Sequence, residues 1–185
     1  MGYIDLNREE LLGVLTDIKK RVSELRENVS DTSLIDEVTN LYNRRLLYKT
    51  LKYEMKRKEI GYRFLSVLLL EINNLDYIEE IYGEKVSHDI LKQVSELVLS
   101  TIRVVDIVGK YDKNKFMFIL PDKNPNKGGV VAERIKKLIG LEVFPIHSEV
   151  TISVGVKSYE GESISELLDI VEINLNSNKK GYVGI

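Results

Sequence analysis

The sequence predicts an α+β domain in which a mostly antiparallel sheet is covered by helices, with a separate amphipathic helix in front of it. Three observations carry this. After residue 36 the strand-like and helix-like segments run strand-helix-helix-strand-strand-helix-strand-helix, a ferredoxin-like order. Two of those strands flank the polar stretch Asp112-Lys113-Asn114-Lys115, which signals a hairpin. The first 30 residues carry a different period altogether.

That period belongs to a helix from Asn7 to Val29, in which Leu11, Leu15, Ile18, Val22, Leu25 and Val29 recur at alternating spacings of four and three. A single domain could bury such a stripe against its own body. The strict four-three spacing favours a parallel coiled coil with a second copy, and so a homodimer. Asp31, Thr32 and Ser33 break the pattern, which divides the chain into a coiled-coil helix over 1–30 and a main domain over 31–185.

Within the main domain Asn43 is placed to cap a helix through Arg44, Leu47, Leu51 and Met55. Arg63 to Ile72 reads as a buried strand because its polar-apolar alternation is lost. Leu75 to Ile81 and Glu84 to Ile102 follow as helices, the second turning Val86, Ile90, Leu91, Val94, Leu97 and Val98 inward. Val104 to Tyr111 and Phe116 to Leu120 form the hairpin. Gly129 to Ile139 is a helix, Val150 to Lys157 a strand and Ser163 to Ser177 a last helix.

Composition narrows the function classes. A formal charge of −2 offers no strong attraction to nucleic acid or to an anionic membrane, and neither partner is expected. The absence of cysteine excludes disulfides and thiolate metal sites and suits a reducing cytoplasm. No apolar stretch has the length of a membrane span, and Met1 to Leu6 lack the regions of a signal peptide. His88 and His147 lack acidic partners at ligand spacing, so no zinc site, and no cofactor, is expected.

Specific words in the sequence go further. Asp36-Glu37-Val38-Thr39-Asn40-Leu41-Tyr42-Asn43-Arg44-Arg45 resembles the D-x-L-T-G-L-x-N-R-R opening of GGDEF domains. Asn40 stands where that family has glycine, and asparagine is the usual substitute in a left-handed backbone. Val150 to Val156 resembles the family's V-T-x-S-x-G-V strand, and Ala132-Glu133-Arg134-Ile135 its A-E-R-I helix. Arg103-Val104-Val105-Asp106, with the hairpin turn six residues after the aspartate, resembles the approach to the signature turn. The resemblance covers residues 36 to 185 and implies the nucleotidyl-cyclase fold.

The resemblance also implies a chemistry, against which this chain departs. Active members join two GTP molecules across a dimer, with Mg²⁺ held by carboxylates of the G-G-D/E-E-F turn. Here the turn reads Asp112-Lys113-Asn114-Lys115-Phe116, and only the core phenylalanine persists. Asn114 and Lys115 move the local charge from about −2 to about +1, which repels a hard dication. The metal-binding aspartate of the first strand becomes Glu71, and the guanine-reading positions become Glu79 and His88. The phosphate-binding lysine corresponds to Lys179. On these departures no catalytic and no metal residue is assigned, and the chain is expected not to be an enzyme.

A different site is kept. The resemblance places Arg103 and Asp106 in the R-x-x-D of the family's product-inhibition site, with Arg134 as its second arginine. An aspartate can accept from the N1 and N2 donors of guanine, while an arginine pairs with O6 and N7 or with a phosphate. The expectation is therefore a catalytically inactive signalling domain that binds cyclic di-GMP through Arg103, Asp106 and Arg134. Two bland readings stand beside it. Asp106 could merely brace the hairpin, and the domain could be a nucleotide-free dimerisation or protein-interaction scaffold.

Overall fold

A computed structural model describes residues 34–61, 64–146 and 149–179. The expected N-terminal helix with its heptad seam, the homodimer expected from it, the expected boundary near residue 30 and His147 lie outside the described residues.

The elements are α1 (Arg44–Ile60), β1 (Phe64–Ile72), α2 (Leu75–Tyr82), α3 (Glu84–Thr101), β2 (Ile107–Asp112), β3 (Lys115–Asp122), α4 (Lys127–Gly140), β4 (Ile152–Ser158) and α5 (Ile164–Asn178). Their order after α1 is the one the hydrophobic pattern predicts. The four strands lie in the order β2-β3-β1-β4, and every neighbouring pair is antiparallel.

Helices cover both faces of this sheet, and that is why β1 shows no alternation. Leu65, Val67 and Leu69 pack under α1 and α5, against Leu47, Leu51, Leu167, Val171 and Leu175. Leu68, Leu70 and Ile72 point the other way, against Ile78 of α2, Ile90 and Val94 of α3, and Val131 and Ile135 of α4. A strand buried on both sides has no solvent-facing phase to mark with polar residues. Val86 and Leu97 of α3 pack against the second core at its edge, partly buried.

Local chemistry sets the helix starts. The Asn43 side chain accepts from the Leu46 N–H at 3.1 Å, and Ser163 forms a reciprocal capping box with Glu166. Asn40 adopts φ 56°, the left-handed backbone its place in the opening motif predicts. Asp36 organises that turn by accepting from the Thr39 N–H at 2.9 Å and the Thr39 hydroxyl at 2.7 Å. The turn delivers Tyr42 to β2, where the Lys110 N–H donates to its carbonyl at 2.7 Å. Gly109 is required at that crossing, because a Cβ there would lie 2.3 Å from the Tyr42 oxygen.

The strand and helix boundaries move by up to three residues, most at the start of β2. β2 begins at Ile107 rather than Val104, because Val104 and Val105 are exposed in a turn closed by an Asp106 N–H to Arg103 carbonyl bond of 2.9 Å. Valine propensity for strands loses here to a turn that Asp106 ties from both ends. Among the described residues no helix is long and apolar enough to cross a membrane.

Candidate functional site

The β2–β3 hairpin carries two clusters of charge, one at each end. At its tip the turn docks on the end of β1. The Asn114 amide donates to the Ile72 carbonyl at 3.0 Å and to Glu71 Oε1 at 3.1 Å, while the Ile72 N–H donates to the Asn114 carbonyl at 3.0 Å. Glu71 is buried, and Lys179 Nζ, just past α5, sits 2.7 Å from both of its oxygens. Lys115 pairs with Glu172 of α5 at 3.2 Å. Lys113 reaches Asp76 at 2.8 Å and Glu79 at 3.0 Å, both on α2.

Beneath the turn lies Lys110, a residue with no part in the sequence expectation. Its ammonium donates to the Asp112 carbonyl at 2.7 Å and to the Lys113 carbonyl, and stands 5.6 Å from the centre of the Phe116 ring. Burial pushes its pKa down to about 8, against the opposing pull of Asp36 and Asp112. The signal was present in the sequence: Lys110 is in phase with Val108, which β2 turns into the core.

These residues do not fit a divalent cation. Mg²⁺ needs several oxygen ligands free to turn toward it. Here Glu71 Oε1 accepts from Lys179 and Asn114, Oε2 accepts no hydrogen bond but has the Lys179 ammonium 2.7 Å away, and Lys115 brings a second positive charge to the same strand ends. Among the described residues no group of three or more His, Asp or Glu side chains is placed to hold a metal ion. His88 lies on α3 with Glu84, one turn before it, 3.7 Å away, so it does have an acidic neighbour, contrary to the sequence expectation.

At the base of the hairpin Arg103 and Asp106, three residues apart, come together. Asp106 Oδ2 accepts from the Arg103 N–H at 3.0 Å, and Oδ1 faces Arg103 Nη2 at 3.5 Å. The Asp106 side chain is fully covered, so it braces the turn in the manner of the bland reading. Two further residues complete the cluster, and neither belongs to the R-x-x-D word. Arg103 Nη2 pairs with Asp122 Oδ2 at the end of β3. Lys127 Nζ, at the start of α4, lies 3.4 Å from Asp106 and 4.0 Å from Asp122. Arg134 is exposed on α4, and among the described residues it makes no ion pair or hydrogen bond with this cluster.

Arg103 stands between two grooves. One, of about 370 Å³, is mainly apolar and includes Leu99, Ile102, Val104 and Ile107 beside Asp106. The other, of about 420 Å³, carries Arg57, Lys123 and Asp122.

The sequence profile of the family described as "Diguanylate cyclase, GGDEF domain" matches residues 33–182. The response regulator PleD of Caulobacter vibrioides is 29% identical over 153 residues, which are 78% of this chain and 34% of PleD. Diguanylate cyclase DosC of Escherichia coli K12 is 27% identical over 133 residues, 70% of this chain and 29% of DosC. The chain thus spans about a third of the length of these relatives. Among solved structures, the GGDEF domain of DgcB from Caulobacter crescentus in complex with c-di-GMP superposes with a TM-score of 0.76 at 18% identity, over 80% of this chain and 91% of that one. Diguanylate cyclase SiaD of Pseudomonas aeruginosa, in complex with its activator SiaC, gives 0.74 at 21%, over 94% and 68%.

These findings correct one expectation. The chain was expected not to be an enzyme, but its curated relatives include proteins named diguanylate cyclases, and that expectation is withdrawn. The physical reason is that it rested on residue identities alone, those of the turn and of Glu71, Glu79 and His88. The folded tip still gathers Glu71, Lys115 and Lys179 at one place, and missing motif letters do not define what such a cluster does.

Proposed function

We propose, for a chain that belongs to the diguanylate cyclase GGDEF-domain family, that the base of the hairpin is a binding site for cyclic di-GMP, contacted by Arg103, Asp106 and Arg134. The observation that carries the reading is the position of Arg103. Its guanidinium is half-exposed and stands between an apolar groove and a charged one, with a buried carboxylate beneath it. The DgcB domain, whose fold this chain shares, was solved in complex with c-di-GMP.

The chemistry matches the ligand's two kinds of surface. A guanine needs an apolar slot and a carboxylate for its N1 and N2 donors, which Leu99, Ile102 and Asp106 supply. Each phosphate needs a cation whose partner can be given up, and Arg103 is exposed enough to turn toward one. Arg134, exposed on α4, is the candidate for the second phosphate.

Calorimetric titration of cyclic di-GMP, with GTP as a control ligand and one salt concentration throughout, tests this. Arg103→Ala is expected to weaken binding roughly ten- to a hundredfold, about 1.5–3 kcal/mol. Arg134→Ala is expected to weaken it less. Wild-type protein that binds no cyclic di-GMP, or binds it equally well without Arg103, leaves the protein-interaction scaffold as the better account.

A further inference from the structure

Two anions and two cations meet at the base of the hairpin, and they are not equally free. The side chain of Asp106 is wholly covered, and those of Lys127 and Asp122 are 12% and 14% exposed. That of Arg103 is 51% exposed. Of the four, Arg103 is therefore the one that can move without opening the fold.

Its partner is held still. Asp122 Oδ1 accepts the Asn124 N–H at 2.9 Å, which leaves Oδ2 aimed at Arg103. The Asn124 N–H, with Arg103 adding to it, holds the Asp122 carboxyl below the usual carboxylate range, so the group is ionised at neutral pH. A fixed, ionised carboxylate oxygen facing a mobile guanidinium is what a phosphate oxygen would offer the same arginine.

We propose that Asp122 is an intramolecular stand-in for the ligand's phosphate, holding Arg103 until cyclic di-GMP displaces it and thereby setting the affinity of the site. This rests on the reading of Arg103 given under Proposed function. The exchange leaves no bare charge behind, because Lys127 stays beside both Asp106 and Asp122 after Arg103 departs. It also opens the base-reading group. Arg103 Nη2 is the donor over Asp106 Oδ1, so the movement that brings the guanidinium to a phosphate uncovers the acceptor that guanine requires. One rotation serves both halves of the ligand. Until it occurs, part of the binding free energy is spent on breaking the Arg103–Asp122 pair.

The test is calorimetry of Asp122→Asn, which keeps an oxygen for the Asn124 N–H while removing the charge. Because the pair is half in water, the dissociation constant for cyclic di-GMP is expected to fall only about two- to tenfold. Asp122→Ser serves as a second variant, and thermal melts of both are compared with wild type. A double-mutant cycle separates the pair from a general field effect: in an Arg103→Ala background the gain is expected to vanish. A gain that persists without Arg103, or a folded Asp122→Asn protein that binds no tighter than wild type, overturns the stand-in role and leaves the binding site itself in place. If neither wild type nor Asp122→Asn binds, the reading of the site fails, and the stand-in role with it. Should both variants unfold, the ¹³Cγ resonance of Asp122 in the wild-type protein decides. It shifts on ligand addition when the pair opens, and a resonance unmoved at saturation rules the exchange out.

Discussion

At the tip of the β2–β3 hairpin, Lys110, Lys113, Lys115 and Lys179 are each engaged by groups of the protein itself: turn carbonyls, α2 carboxylates, Glu172 and Glu71. At its base, Arg103 is engaged as well, half in water with a groove on either side, whereas the comparably exposed Lys113 of the tip is held by two carboxylates of α2. Both ends balance cations against carboxylates. They differ in what lies over the buried groups. The tip buries both a cation, Lys110, beneath backbone carbonyls and an anion, Glu71, beneath Lys179 and Asn114, whereas the base buries an anion, Asp106, beneath an arginine that a groove flanks on either side. A buried charge builds structure, while an exposed one on the same pair is available to a ligand. The two ends teach that charge content is a poor guide to a binding site unless burial is read with it.

The sharpest way to break this comparison is to remove the buried anion. Asp106→Ala strands the Arg103 N–H and leaves Lys127, itself nearly covered, short of its nearer carboxylate. It is expected to lower stability by about 2–4 kcal/mol in urea unfolding. A loss below about 1 kcal/mol would mean the base is not braced by burial at all.

The buried cation comes next. Lys110→Met deprives the Asp112 and Lys113 carbonyls of their donor and is expected to cost about 1–3 kcal/mol. Its pH dependence sharpens the point. With its folded pKa lowered to about 8 by burial, Lys110 binds fewer protons folded than unfolded between about pH 8 and its ordinary value near 10.5. The stability contributed at this site therefore rises as pH rises through that window and is flat below it. Unfolding curves of wild type and Lys110→Met are expected to diverge from pH 8 to 10, in favour of wild type. Parallel curves would place the ammonium in water.

The smallest effect belongs to the exposed member. Arg103→Ala is expected to change stability by less than about 1 kcal/mol, since a half-exposed ion pair contributes little. Measured beside its effect on cyclic di-GMP affinity, it separates a residue kept for a ligand from one kept for the fold. A stability loss as large as that of Asp106→Ala would erase the distinction between the two ends.

Much of this molecule was legible along the chain because the governing interactions are local. The Asn43 and Ser163 caps, the left-handed Asn40 and the polar hairpin turn act over a few residues, and their chemistry is written in adjacent letters. The meeting of Arg103 with Asp106 is likewise a matter of i,i+3 geometry. The double burial of β1 was visible as a loss of alternation, since both of its phases are apolar. What the chain's pattern could not reveal was which distant residues share a neighbourhood. Asp122 meets Arg103 across 19 residues because the hairpin returns β3 to the level at which β2 began. Lys179 meets Glu71 across 108 residues because α5 runs back along the sheet to the far end of β1. Val104 and Val105 look like strand and sit in a turn, because a backbone bond and a bond to the buried Asp106 carboxylate outweigh a weak local preference. Propensity and periodicity depend on neighbours in sequence, whereas ion pairing and burial depend on neighbours in space, and only the packing of the sheet against its helices brings those together.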